Sequence, residues 1–146
     1  MKKYKLRLGM VGGGPGAFIG EVHRKAARLD GEYELVAGSF SSDPKKSAAT
    51  GDELGLEDSR VYPTWEELIS KEKSLPEDKR IEVISIVTPN HLHFAPAKAA
   101  LEAGFHVICD KPLAFDLKEG RELESLVRNT GKVFALTHNY TGYPMV

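Results

Sequence analysis

Apolar positions along this chain switch between a spacing of two and a spacing of three to four, and that switching lays out most of its architecture. Leu6, Leu8 and Met10 alternate as in a strand, and beyond a glycine-rich turn Val22, Ala26 and Leu29 recur at helical spacing until Gly31. Glu34 to Ser39 reads as a second strand, which completes a first βαβ unit. Ser42-Asp43-Pro44 opens a short polar helix, with Asp43 placed to accept orphan backbone N–H bonds and Pro44 preset for the first turn. Gly51 and Gly55 break that helix, and Val61-Tyr62 follows as a minimal third strand. Thr64 and Glu67 have capping-box spacing for a helix running toward Lys71, and the charged stretch from Lys71 to Arg80, which contains Pro76, is expected as a surface loop.

Val83-Ile84-Ser85-Ile86-Val87 is nearly continuous in apolar, β-branched residues, as a strand buried on both faces of a parallel sheet requires. Thr88 to His91 ends it. Because Pro96 disfavours helix at Ala95, the next helix is expected to start near Pro96, run through Ala97, Ala100 and Leu101, and stop at Gly104, with Asn90 to Phe94 as an irregular entry turn. Phe105 to Cys109 is a fifth strand. Asp116 and Glu119 cap a helix carrying Leu117, Leu123, Leu126 and Val127, and past Gly131 a sixth strand spans Val133 to Leu136. Strands and helices in this alternation predict a single α/β domain: a doubly wound, Rossmann-type parallel sheet of order 3-2-1-4-5-6, with ligands at the carboxyl ends of the strands.

Composition narrows the function classes. The 146 residues are 41% hydrophobic, enough for one core, and 20 basic against 21 acidic residues leave a net charge of -1. Such a balance argues against a nucleic-acid partner. The N-terminal apolar run, set among Lys2, Lys3, Lys5 and Arg7, is too short and too interrupted for a signal segment or a membrane span. A single cysteine, Cys109, fits a reducing compartment, and the chain is expected to be cytoplasmic.

Four motifs carry chemistry. Gly12, Gly14 and Ala17 satisfy a permissive G-x-G-x-x-A between strand and helix, where tight turns bring backbone N–H groups and a helix dipole to a pyrophosphate; Gly13 and Gly16 read as turn geometry. At the end of the second strand, where an acidic residue would hold the ribose hydroxyls of NAD, stand Ser39 to Ser42 followed by Lys45 and Lys46. Ser41 and Ser42 are therefore candidate ribose-phosphate contacts and NADP is favoured slightly over NAD, although Asp43 is near enough to take the acidic role. Thr88-Pro89-Asn90-His91-Leu92-His93 faces the same crevice; no carboxylate or thiolate accompanies its histidines at ligand spacing, so no metal site is expected and His93 reads as a wall of the cofactor site. In Asp110-Lys111-Pro112, Lys111 at the end of a buried strand either polarises a substrate hydroxyl or carbonyl during hydride transfer or ion-pairs with Asp110 in a loop. Cys109 reads as a small buried apolar residue.

The glycine loop, Thr-Pro-Asn-x-x-His and Asp-Lys-Pro at these intervals resemble the N-terminal domain of the glucose–fructose oxidoreductase / inositol dehydrogenase / rhizopine-catabolism (Gfo/Idh/MocA) oxidoreductase family, over essentially the whole chain. The resemblance implies NAD(P)-dependent oxidation or reduction of sugars, polyols and related compounds. It also implies that Lys111 faces the substrate, that Pro112 shapes the nicotinamide pocket, that Asp110 belongs to the cofactor site, and that Thr88, Pro89, Asn90 and His93 border the cofactor. Gly20 and His23 match the ending of the family's glycine motif, but three extra residues separate Gly12 from Gly20. The longer loop, from Pro15 to Phe18, is expected over the pyrophosphate or nicotinamide, with Phe18 and Ile19 as contacts. Asp110 stands where glutamate is commoner. Family members continue into a second α/β domain that supplies the substrate floor, acid/base residues and the homo-oligomer interface; residues 1–146 are therefore read as a truncated chain or isolated cofactor domain, expected to bind cofactor with little turnover. Two other classes stay open: a non-catalytic nucleotide-sensing regulator of the same fold, and a nucleoside-binding domain such as one for S-adenosylmethionine, against which Lys111 argues.

Overall fold

A computed structural model describes residues 4–144; Lys2 and Lys3 of the basic N-terminal segment lie outside the described residues. Ten regular elements follow in order: β1 (Leu6–Gly12), α1 (Phe18–Leu29), β2 (Tyr33–Ser39), α2 (Pro44–Glu53), α3 (Trp65–Ser74), β3 (Val83–Val87), α4 (Phe94–Ala103), β4 (His106–Asp110), α5 (Leu117–Thr130) and β5 (Phe134–Thr137). The strands form one parallel sheet of order β2-β1-β3-β4-β5. Chain order reverses between β1 and β3, which opens the crevice at the switch point of a doubly wound sheet.

The expected third strand is reduced to one parallel bridge, Gly38 to Val61, beside β2. Tyr62 still donates its N–H to the Gly38 carbonyl, but Pro63 has no N–H with which to continue the ladder. Its place in the order is kept and its length is lost. The stretch expected as a loop from Lys71 is helical to Ser74, because Leu68, Ile69 and Glu72 form a buried face of α3. Glu72 is wholly buried, an outcome charge counting does not suggest. Its carboxylate accepts from Arg60 Nε and Nη2 at 2.7 and 2.8 Å, from the Tyr62 hydroxyl at 2.8 Å and from the Ile81 N–H at 3.0 Å. The helix expected from Pro96 begins two residues earlier, at Phe94, with Pro96 in the first turn where a missing N–H leaves no bond unmade. Asp43, Thr64 and Asp116 cap their helices as expected, each side chain accepting a backbone N–H.

The main core lies between the sheet and α3, α4 and α5, and includes Leu68, Ile84, Ile86, Leu101, Phe105, Val107 and Leu123. The opposite face carries α1. There Met10, Phe40 and Val87 form a smaller cluster with Ile19, Leu35 and Leu54 against it. Among the described residues no helix is long and apolar enough to cross a membrane.

Candidate functional site

Three chain reversals converge at the carboxyl ends of β1, β2 and β3 and enclose a cavity of about 530 Å³. The glycine turn contributes Gly12, Gly13, Gly14, Pro15 and Ala17; the turn after β2 contributes Ser39 to Ser42 and Lys46; Val87, Thr88, Pro89 and Leu92 close the side beyond β3. Glycine is required at this junction by contact as well as by turn geometry. Gly12 has φ +85°, and a Cβ there would sit 3.0 Å from the Val87 carbonyl; at Gly14 a Cβ would lie 2.7 Å from the Phe40 carbonyl oxygen. The Gly14 N–H is itself donated to the Phe40 carbonyl and the Ala17 N–H to the Gly14 carbonyl, whereas the amides of the first turn of α1, beginning at Phe18, have no intrahelical partner and can meet an anion.

Close packing of α1 on the glycine turn belongs to Gly20. Ala17 is the N-cap residue of α1 and lines the cavity, whereas Gly20 packs on Gly13 so closely that a Cβ would come within 2.4 Å of the Gly13 Cα. Three additional loop residues displace the packing position along the chain. Arg24, one turn further, donates to the Gly13 carbonyl at 2.9 Å and steadies the turn from beneath.

Asp43 does not face the cavity as an acidic ribose ligand: its carboxylate accepts the Lys45 N–H at 2.9 Å as the cap of α2, and its own N–H is donated to Ser41 Oγ at 3.1 Å. Ser41, Ser42 and Lys46 line the cavity there, and Lys45 does not. Sequence reasoning missed Pro63, Thr64, Trp65 and Glu66, which form the wall opposite the serines. A signal was present, because the chain's single tryptophan follows the third strand position, whose carboxyl end a doubly wound fold puts at the ligand crevice.

His93 is fully buried and does not line the cavity. Its Nδ1 lies 2.8 Å from the Pro112 carbonyl and its Nε2 2.9 Å from the Thr88 carbonyl. It is a strut tying the turn after β3 to the turn after β4. Asn90 is exposed at the start of a short 3-10 turn, Asn90–Leu92, and it too is outside the cavity lining. Phe18 and Ile19 lie on the other side of the α1 N-terminus, where with Ser85, Ile108, Asp110, Lys111, Thr137 and Tyr140 they line a second cavity of about 620 Å³. Phe18 is 79% exposed.

Lys111 is exposed at the mouth of this second cavity, and among the described residues it has no hydrogen bond or ion pair. The ion pair with Asp110 that the sequence left open is not formed. Asp110 Oδ1 instead accepts from Thr137 Oγ1 at 3.0 Å and faces His23 Nε2 at 3.8 Å. Burial holds the His23 imidazole below its ordinary range, partly offset by the nearby Asp110 carboxylate. Burial, with a contribution from Asp110, pushes the Cys109 thiol up to about 12, so it is an apolar filler and not a nucleophile at neutral pH. Among the described residues no group of three or more histidine, cysteine or carboxylate side chains could hold a metal ion.

A glycine cradle at the switch point, a helix N-terminus behind it and a long cleft running out past the end of β2 define a dinucleotide-binding domain of the Rossmann type. Residues 6–138 match the model of an oxidoreductase family with an NAD-binding Rossmann fold, and the chain belongs to that family, Gfo/Idh/MocA. It is 40% identical over 97% of its length to the uncharacterized oxidoreductase YfiI of Bacillus subtilis, and 35% identical over 97% to levoglucosan dehydrogenase of Pseudarthrobacter phenanthrenivorans, covering 36% and 35% of those proteins. Among solved structures, an inositol dehydrogenase homolog of Azotobacter vinelandii complexed with NADH and myo-inositol superposes with a TM-score of 0.92 at 40% identity, over 97% of this chain and 37% of that one. An oxidoreductase of Sinorhizobium meliloti superposes with a TM-score of 0.89 at 55% identity, over 98% and 39%. The chain thus spans little more than a third of the length of these relatives.

Proposed function

We propose that residues 1–146 are the cofactor-binding part of an NAD(P)-dependent oxidoreductase acting on a sugar, polyol or related carbohydrate derivative. The observation that carries this reading is the unpaired Lys111 ammonium at the same carboxyl edge of the sheet as the glycine cleft, with His93 bracing the Lys111-Pro112 turn against Thr88 of the cleft wall. The cleft fits a dinucleotide: Gly12 and Gly14 admit close backbone approach, and Ala17 with the first amides of α1 meets the pyrophosphate. Thr88 and Pro89 border the middle of the cofactor, with Asn90 at the rim, while Phe18, Ile19, Asp110 and Pro112 flank the nicotinamide end. When bound, the nicotinamide supplies or accepts the hydride. Lys111 donates a hydrogen bond from Nζ to the reacting oxygen of the substrate, stabilising a developing alkoxide in one direction and polarising a carbonyl in the other.

NADP is favoured over NAD. Ser41, Ser42 and Lys46 offer hydroxyls and a cation to a 2′-phosphate, and Asp43, the acid nearest to them, is committed to capping α2. The relatives that complete such a domain are longer, and we assign the substrate floor, the acid/base partner of Lys111 and a homo-oligomer interface to a region equivalent to theirs. The protein works in the cytoplasm, on a small molecule, with no nucleic-acid or membrane partner.

Calorimetric titration of the folded chain with NAD(H) and NADP(H) tests the reading. Heat and a thermal shift are expected with both, tighter for NADP(H), and Lys46→Ala weakens NADP(H) while leaving NAD(H) unchanged. No binding of either nicotinamide would overturn the function; clearly tighter NAD(H) binding would overturn the preference alone.

A further inference from the structure

A line of polar groups crosses the α1 face of the sheet. Ser85 is the one hydroxyl within Val83–Val87 and is 1% exposed. Its Oγ lies 3.0 Å from His23 Nδ1, which reaches down from α1 with a side chain only 8% exposed. Ser85 pairs in register with Ile108, and Asp110, two residues further along β4, projects from the same face and pairs with Thr137. With Nδ1 accepting from the Ser85 hydroxyl, the neutral imidazole carries its proton on Nε2, the nitrogen that faces Asp110 Oδ1. Thr137 Oγ1 donates to that same oxygen from the other side, at 3.0 Å. Four elements thus converge on one carboxylate, and the residue after it is Lys111.

We infer that His23 is a positioning residue for Lys111: with Ser85 orienting its ring and Thr137 acting from β5, it holds the Asp110 carboxylate away from the neighbouring ammonium and keeps that ammonium available to the substrate oxygen. An aspartate next to a lysine at the end of a strand is free to turn toward it once its other partners are gone. Both charges would then be consumed in a local ion pair. The network prevents this with the Thr137 hydroxyl bond at 3.0 Å and an imidazole nitrogen facing the same oxygen at 3.8 Å, a polar contact longer than a hydrogen bond, and neither adds a competing positive charge beside Lys111 when the imidazole is neutral. Its anchor sits on α1, whose N-cap residue Ala17 lines the cofactor cleft, so the lysine is fixed relative to the same helix that abuts the cleft. This inference rests on the function proposed above.

Competitive acetylation of the 146-residue chain, read residue by residue by mass spectrometry with exposed Lys118 as internal reference, tests it. His23→Ala and Thr137→Val are each expected to slow modification of Lys111 relative to Lys118 by about two- to fivefold, the range of an exposed ion pair. In an Asp110→Asn background both effects disappear. That dependence on Asp110 separates positioning from a general loosening of the fold. Should His23→Ala fail to fold, Thr137→Val with and without Asp110→Asn makes the same comparison. An unchanged Lys111 ratio in the folded variants, or a slowing that persists without the carboxylate, would overturn the inference. Calorimetric titration of the same samples with NADH and NADPH keeps the two readings apart: the unsubstituted chain binding cofactor with an unchanged labelling ratio defeats only the positioning role, whereas failure to bind defeats the proposed function.

Discussion

Gly20 shows how one atom decides a contact. Its Cα rests on Gly13, and a methyl group there meets the Gly13 Cα at 2.4 Å, its nearest neighbours all being Gly13 backbone with no flexible side chain to yield. Gly20→Ala is therefore expected to cost about 1–3 kcal/mol, as overpacking does, and to weaken nicotinamide binding further by lifting α1 from the glycine turn. Urea unfolding followed by titration measures both. His23 makes a second prediction. Its pKa is lowered in the folded protein by burial, so the unfolded chain binds the proton more readily. The stability it contributes is complete above the unfolded value near 6.5 and is lost as pH falls below that value toward the folded one. His106, also lowered by burial, adds to the same trend. Comparing His23→Gln with the unsubstituted chain between about pH 7.5 and pH 5.5 isolates the His23 share; equal pH slopes would exclude it. At this scale the sequence was legible in residue type and less so in role. Gly20 and His23 were visible as a motif ending, but the close packing of Gly20 on Gly13 was not, because nothing local reveals how far a lengthened loop carries a helix. His93 was visible as a site residue, yet its work is to join two carbonyls far apart in the chain, Thr88 and Pro112, and no linear pattern encodes that.

Elements were readable wherever their signals were local. Each capping residue lies within three positions of the amide it caps, and Asp43, Thr64 and Asp116 all sit where spacing put them. The failures came where distant partners decide. The charged stretch after Lys71 looked solvated because Glu72 finds its partners in Arg60, Tyr62 and Ile81, none within one helical turn of it. That carboxylate ties the turn Asp58–Arg60, the end of α3 and the entry to β3 together, and it also holds Tyr62 immediately before the Pro63 to Glu66 wall of the cleft. Removing one partner of a buried, bidentate pair leaves the other charge uncompensated. Glu72→Ala is expected to destabilise the fold by about 3–5 kcal/mol, while Tyr62→Phe, which removes one hydrogen bond and keeps the ring, costs about 1 kcal/mol. Equilibrium denaturation distinguishes the two; similar losses would mean that the Tyr62 hydroxyl bond, and not the Arg60–Glu72 ion pair, holds the corner.

The whole molecule is asymmetric about its sheet. α3, α4 and α5 cover one face with the larger core, whereas the other carries α1, Gly20 being that helix's one buried residue, and the second cavity opens beside it toward Lys111. Relatives of more than twice this length hold both reactants, since the Azotobacter structure contains NADH and myo-inositol together. Hydride transfer depends on fixing two carbon centres in contact, a constraint worth many orders of magnitude in effective concentration. On the proposed function, the cleft in these 146 residues fixes one partner, and Lys111 offers a single hydrogen bond to the other. Binding and turnover should therefore separate. The chain alone is expected to bind nicotinamide cofactor while reducing NAD+ or NADP+ in the presence of a polyol at least about a thousandfold more slowly than the full-length inositol dehydrogenase homolog assayed alongside. Cofactor fluorescence reads both quantities in one cuvette. Turnover within about tenfold of that enzyme would show that the described residues already hold the substrate, and would move the acid/base partner of Lys111 from the proposed second region to a side chain of this domain, His23 or Asp110 first among them.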